Sequence, residues 1–263
     1  MDSSKFDRLM LDTIGKTHIK GQTVYYDEEY YLNLVKHLAK DYVLNKYCAE
    51  LTTNSQGVKM CSIASSSRFC YLSSKDLFDD IDELEKTNIK NGCCRPHYDG
   101  YSEKNRVFYE FKSHEFCTKS HSSLSTSYID LLKDIFGIHT KTPSELRFSD
   151  FKMSIENDPS IYKLNFDFKQ FLCHVFGLLS IVTKDQKATL KYVWIVPDLP
   201  NNEELNSFVN MIRHEQIDKI FNQFSNLTIN HKDEKVKIKD LICFEFELVP
   251  AWKIKDPILE ELS

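Results

Sequence analysis

The sequence predicts an α/β fold, a central mixed β-sheet flanked by helices. Three observations lead there. Two runs rich in β-formers, 106–112 (RVFYEFK) and 189–196 (TLKYVWIV), read as buried strands. Between them Phe168, Phe171, Leu172, Val175, Phe176 and Leu179 form a wide apolar stripe at three- and four-residue spacing, which marks a helix over 165–182. The short connection 102–105 joins 106–112 to a strand-like run at 93–101, so those two strands are antiparallel neighbours and the sheet is mixed.

The remaining elements follow in order. The first 25 residues carry little periodicity and read as an arm. From Asp27, placed to cap, the pattern is helical, with Tyr31, Leu34, Val35, Leu38 and Tyr42 in one stripe. The stretch 52–59 is loop-like, and CSIASSSRFCYL is ambiguous between helix and strand. Residues 75–85 read as an acidic helix with a solvated face. In 93–101, Pro96 and Gly100 suggest an edge or a bend. The stretch 113–160 reads as a polar insertion with one helical piece near 128–136. Pro197 ends the central strand 189–196. Asn201 and Glu204 have capping-box spacing ahead of an amphipathic helix carrying Leu205, Phe208, Val209, Ile212, Ile220, Phe221 and Phe224. A last strand covers 236–248. The expected organisation is a helical segment, 1–89, packed on a core, 90–263.

A chain of 263 residues, 41% hydrophobic and 13% aromatic, can bury a full core without disulfides. The net charge of −5 does not advertise nucleic-acid binding, but a phosphate backbone responds to local charge. Between 86 and 121, Lys86, Lys90, Arg95, Lys104, Arg106, Lys112 and Lys119 outnumber Asp99, Glu103, Glu110 and Glu115. The eight cysteines have no framework spacing, and Cys173 and Cys243 sit in apolar surroundings that predict burial. Cys93, Cys94, His97, Cys117 and His121 contain no C-x2-C pair of the kind zinc prefers. The start has neither a basic nor a long apolar region of a leader, and the longest nearly apolar run, 171–182, is too short to span a bilayer. A reducing, cytoplasmic location without membrane contact is the expectation.

The chemistry-bearing segment is RPHYDGYSEKNRVFYEFKSHE, 95–115. On a strand over 106–112, Glu110 and Lys112 leave the same face, while Val107, Tyr109 and Phe111 leave the other. The hairpin then brings Asp99 alongside Glu110. Two carboxylates with a backbone carbonyl such as that of Phe111 suit one or two Mg²⁺ ions, and a neighbouring Lys112 suits orienting a water and offsetting charge at a phosphorus. An acid two residues before a lysine occurs at Glu110, Asp150, Asp167, Asp185 and Asp233. Glu110 alone has an upstream acid across a hairpin and a strongly β-forming context. Asp167 reads as a helix start.

The stretch PHYDGY…FYEFKSHE resembles the P-x-x-D…E-x-K signature of the PD-(D/E)xK, restriction-endonuclease-like nuclease superfamily. Glu115 is similar to a trailing acid in some bacterial branches, FKQFLCHVFGLL resembles a helix that carries a Gln, and SSSRFCYL faintly resembles a serine-rich segment ahead of the core. The resemblance covers roughly 90–250 and implies a restriction-endonuclease-like core and a Mg²⁺- or Mn²⁺-dependent nuclease acting on DNA in restriction, defence, repair or mobile elements, with a homodimer as one form. It implies metal binding by Asp99, Glu110 and the Phe111 carbonyl, water positioning by Lys112 and assistance from Gln170. Glu115 and His174 would be accessory, and Arg106, His114 and Lys119 would contact nucleic acid. The superfamily often adds an acid from its first helix, for which Glu28, Glu29 and Glu50 are unranked. Two rivals remain: a non-catalytic nucleic-acid-binding or protein-interaction module with this fold, and a scaffold in which Glu110 and Lys112 are an ordinary same-face ion pair.

Overall fold

Hydrogen-bonded pairing among the described residues gathers five strands into one mixed sheet and two more into a separate hairpin. The computed structural model describes residues 1–14, 18–19, 24–53, 57–119, 123–200 and 202–263. Its helices and strands are α1 (Ser3–Ile14), α2 (Glu28–Lys40), α3 (Ser66–Ser73), β1 (Glu83–Lys86), β2 (Tyr98–Ser102), β3 (Val107–Lys112), α4 (Ile129–Leu131), α5 (Phe168–Leu179), β4 (Ala188–Val196), α6 (Glu203–Met211), α7 (Asp218–Ser225), β5 (Thr228–His231), β6 (Glu234–Lys237), β7 (Ile242–Pro250) and α8 (Pro257–Leu262). The sheet runs β1-β2-β3-β4-β7. Its first two pairings are antiparallel, and β3–β4 and β4–β7 are parallel. Each parallel step needs a crossover, supplied by α5 and by α6 with α7.

Local sequence explains the helix starts. Asp27, Ser65, Asp167 and Asn202 each accept a backbone N–H from the residue three positions on, from Tyr30, Arg68, Gln170 and Leu205. Aromatic packing then fixes α5 and α7 on the sheet. Phe171 lies 5.0 Å from Phe244 and 5.0 Å from Phe224, and Tyr192 stands 5.9 Å from Phe221. No helix among the described residues is long and apolar enough to cross a membrane.

Several expectations are corrected. The supposed N-terminal arm contains α1, whose Phe6 and Met10 are fully buried. Tyr42 leaves the α2 stripe: it follows the helix with φ +59° and is 95% exposed. The later part of CSIASSSRFCYL, from Ser66, is helix α3, and its first residues are turn and extended chain. The acidic helix over 75–85 is absent; turns lead into β1, which places a strand of the sheet inside the stretch expected to be helical. β2 is no edge, because β1 and β3 pair with both its sides. The polar insertion buries Leu124, Leu132, Leu146, Phe148, Phe151 and Met153. Its helical piece is α4 continued by a π-turn, Leu132–Phe136. Asn201 lies outside the described residues, and Asn202 is the observed cap. A π-turn, Ile212–Ile217, joins α6 to α7. The strand expected over 236–248 divides, since a turn at Ile238–Asp240 separates β6 from β7. Cys243 is exposed and Cys173 only half-buried. β7 pairs on one side only among the described strands, which leaves part of it open to water.

Two contacts set the positions that matter for the site. At Gly177, α5 approaches the segment leading into β2 so closely that a Cβ would collide with Pro96 and lie 2.9 Å from the Tyr98 hydroxyl. Gly177→Ala is expected to lower the unfolding free energy by about 1–3 kcal/mol through overpacking, read from urea denaturation. In α3, Arg68, 1% exposed, pairs with Asp256 at 3.3 Å. Its guanidinium lies 4.7 Å from the Tyr26 ring centre. Asp256 also accepts from the Tyr30 hydroxyl and caps α8. Asp256→Asn, which keeps a capping oxygen but removes the charge, should cost about 3–5 kcal/mol by leaving Arg68 buried and unneutralised; equal denaturation midpoints for the two proteins would contradict this.

Candidate functional site

β2 does not alternate regularly. The Tyr98 ring packs 4.9 Å from Phe108 and 4.8 Å from His174 of α5. Gly100, two residues on, instead faces Ile81 and Cys70 of α3. In a regular strand those positions share a face, so β2 rolls over between them, at Asp99. The β1–β2 register runs Leu84↔Gly100 and Lys86↔Tyr98, and Glu85, between them on β1, has φ +53°. Such local distortion is common beside functional sites. The Asp99 carboxylate accepts the Phe111 N–H at 2.7 Å, which puts it in the gap between β2 and β3.

Glu110 and Lys112 leave β3 on the α5 side, as the spacing requires. Glu110 is 2% exposed, and its Oε1 accepts from Lys112 Nζ at 2.5 Å and from Gln170 Nε2 at 2.7 Å. Gln170 reaches it from the first turn of α5, immediately after the Asp167 cap. His174, one turn along, is also buried. Its Nε2 lies 2.9 Å from the His97 carbonyl, which can only accept, so Nε2 carries the proton, and Nδ1 accepts from the Tyr192 hydroxyl at 3.3 Å. Burial, with the Lys112 charge, holds this imidazole neutral by pushing its pKa down to about 3. His174 therefore gives Glu110 no proton, although Nε2 stands 3.5 Å from Oε2. Among the described residues, Glu110 Oε2 is buried with no hydrogen-bond partner.

The electrostatics are those of crowded acids. Burial raises the Glu110 pKa against the pull of Lys112. Burial, and then the Glu110 charge, push Asp99 well above the carboxylate range. For Lys112 burial favours the neutral amine, but Glu110, Glu115 and Asp99 outweigh it and hold the ammonium. Glu85 completes the group: burial first, then Asp99, Glu50 and Glu110, raise its pKa to about 8.

The other sequence candidates divide. Glu115 accepts the Ser113 N–H at 2.6 Å, and with Lys112, His114, Asn165, Asp167 and Gln170 it lines a cleft of about 270 Å³. A second cleft of about 170 Å³ shares His114 and Glu115 and adds Glu50, Lys59 and Ser66. Glu50 is thus near the site. Glu28 and Glu29, exposed on the first turn of α2, line neither cleft. Arg106 is not brought to the site; it sits at the opposite end of β3, where its Nε donates to the Lys187 carbonyl. Lys119 is exposed, just beyond the cleft-lining Thr118. Sequence reasoning missed Glu85, which belonged to a run read as solvated, and Asp7, which holds His114 from α1.

Among the described residues no group of three or more His, Cys, Asp or Glu is arranged as a ready metal site; His121 lies outside them. Asp99 and Glu110 themselves line neither cleft, yet the donor chemistry fits a hard cation: two neighbouring acids, one of them with a buried carboxylate oxygen lacking a partner. No family model, curated protein or solved structure matches the chain.

Glu85 offers a test of the crowding. A carboxyl raised from 4.5 to about 8 in the folded protein contributes stability below pH 4.5 that is lost as pH rises through 8. Glu85→Gln should therefore unfold at the same denaturant midpoint as wild type near pH 4.5. It should become progressively more stable than wild type towards pH 8.5, with a slope of up to about 1.4 kcal/mol per pH unit.

Proposed function

We propose that this chain is a divalent-metal-dependent nuclease that hydrolyses phosphodiester bonds, with DNA as substrate and a restriction-endonuclease-like core. The observation that carries the reading is Glu110: a buried carboxylate with one oxygen fixed by Lys112 and Gln170 and the other bare, beside a second, half-buried acid, Asp99. The proposed ligands for Mg²⁺ or Mn²⁺ are Asp99, Glu110 and the Phe111 carbonyl. The chemistry supplied by such an ion, when bound, is polarisation of the phosphoryl oxygen and acidification of a water.

The chain's own groups have separable tasks. Gln170 holds Glu110 Oε1 in a single orientation. The Phe111 N–H anchors Asp99 through a backbone that cannot move without disrupting the sheet. His174, neutral and tied to His97 and Tyr192, packs beside Glu110 without competing for protons. Lys112, kept charged by three carboxylates, orients the attacking water and offsets negative charge growing at phosphorus. A rival reading, a non-catalytic nucleic-acid-binding module, draws on the direct Lys112–Glu110 contact, which already neutralises the carboxylate.

The two readings separate in a cleavage screen of plasmid, linear duplex, single-stranded DNA and RNA with Mg²⁺, Mn²⁺ or EDTA. The nuclease reading expects ion-dependent cleavage of at least one polymer, reduced about 10²–10³-fold or more by Glu110→Gln or Lys112→Met. Retention of a polymer without cleavage, unaffected by either substitution, would establish the rival.

A further inference from the structure

Phosphodiester hydrolysis needs help at two oxygens, the one that attacks and the one that leaves. Lys112, Gln170 and Glu110 account for the attacking side, and nothing in that set supplies a proton to the departing alkoxide. His114 shares a cleft with Lys112 and Gln170. It opens the turn His114–Cys117 directly after β3, and it lines both clefts. A diester lying across their shared wall would have one nucleoside in each cleft and its phosphorus beside His114.

The imidazole is held for such a task. Its Nδ1 lies 2.9 Å from Asp7 Oδ1, and Asp7 is 6% exposed on α1. A carboxylate only accepts, so Nδ1 carries a proton, and the ring presents Nε2, which has no hydrogen-bond partner among the described residues. The Asp7 hydrogen bond, aided by the Glu115 charge and opposed by burial, raises the His114 pKa above its ordinary value, so the doubly protonated ring persists nearer neutrality. Asp7 comes from a helix whose Phe6 and Met10 are in the core, so the carboxylate is fixed and not a passing surface charge.

We propose that His114 is the general acid of the reaction and that Asp7 is its positioning residue, an inference that rests on the nuclease reading. The oxygen of water forms the new bond to phosphorus. The bond from phosphorus to the leaving oxygen breaks with its electron pair on that oxygen, which takes the proton from His114 Nε2. The proton lost by the attacking water passes to solvent, and solvent reprotonates Nε2. Water and diester become a monoester and an alcohol, with no other reactant.

Sulfur at the bridging position tests this, because a thiolate leaves without a proton. The substrates are DNA oligonucleotides in which sulfur replaces the 3′- or the 5′-bridging oxygen at a single linkage, compared with the all-oxygen strand in the same divalent ion. His114→Gln is expected to lower kcat about 100-fold or more on the all-oxygen diester with little change in KM, and to come within about tenfold of wild type on one sulfur series. Asp7→Asn should lose less and recover on the same series. Lys112→Met should remain slow on both. Should Asp7→Asn fail to fold, the half-exposed His114 decides alone. Equal losses on oxygen and sulfur substrates, a rise in KM at constant kcat, or no loss would overturn the proposal while leaving the nuclease reading intact. Wild-type protein that cleaves neither substrate would end both.

Discussion

Burying the Glu110 carboxylate is the most demanding feature of this structure, and the elements around it are arranged by that demand. A carboxylate taken out of water is tolerated only when charge or hydrogen bonds replace the lost solvent. Here Lys112 comes from the same strand and Gln170 from the crossover helix α5, while the neutral His174 on the next turn of that helix lies alongside without a hydrogen bond to the carboxylate. The close approach at Gly177 puts α5 near enough to supply them, and the Asp167 cap sets where its first turn begins. The replacement is incomplete, because one Glu110 oxygen is left bare.

The acids around Glu110 work against folding, and the fold accommodates them through irregularity. β2 rolls over at Asp99, and Glu85 on the facing strand adopts a left-handed backbone. A regular ladder would send side chains alternately to the two helical layers. The distortion instead turns acids from two neighbouring strands towards the one buried on a third.

What could be read from sequence follows from how local each cause is. β3, β4 and α5 were legible because their apolar periodicity is strong and their packing agrees with it; Glu110, Lys112, Gln170 and His174 come together by spacing on just two elements. β1 was not legible, because ELEK becomes a strand through pairing with β2 and has no apolar run of its own. α1 shows only Phe6 and Met10 as hydrophobic positions fully removed from water, too few to stand out. Asp7 depends on a partner 107 positions away in the chain, and no local pattern announces such a meeting. Arg106 shows the converse: a basic residue close in sequence to the acids, carried by strand length to the far end of β3.

The Arg68–Asp256 pair has a consequence for how the protein is made. The guanidinium emerges from the ribosome 188 residues ahead of the carboxylate that neutralises it. Until that carboxylate arrives, the layer of Tyr26, Tyr30 and Phe69 around Arg68 cannot close without trapping a lone charge. A growing chain therefore cannot complete this buried layer before Asp256, at the start of α8, has been made.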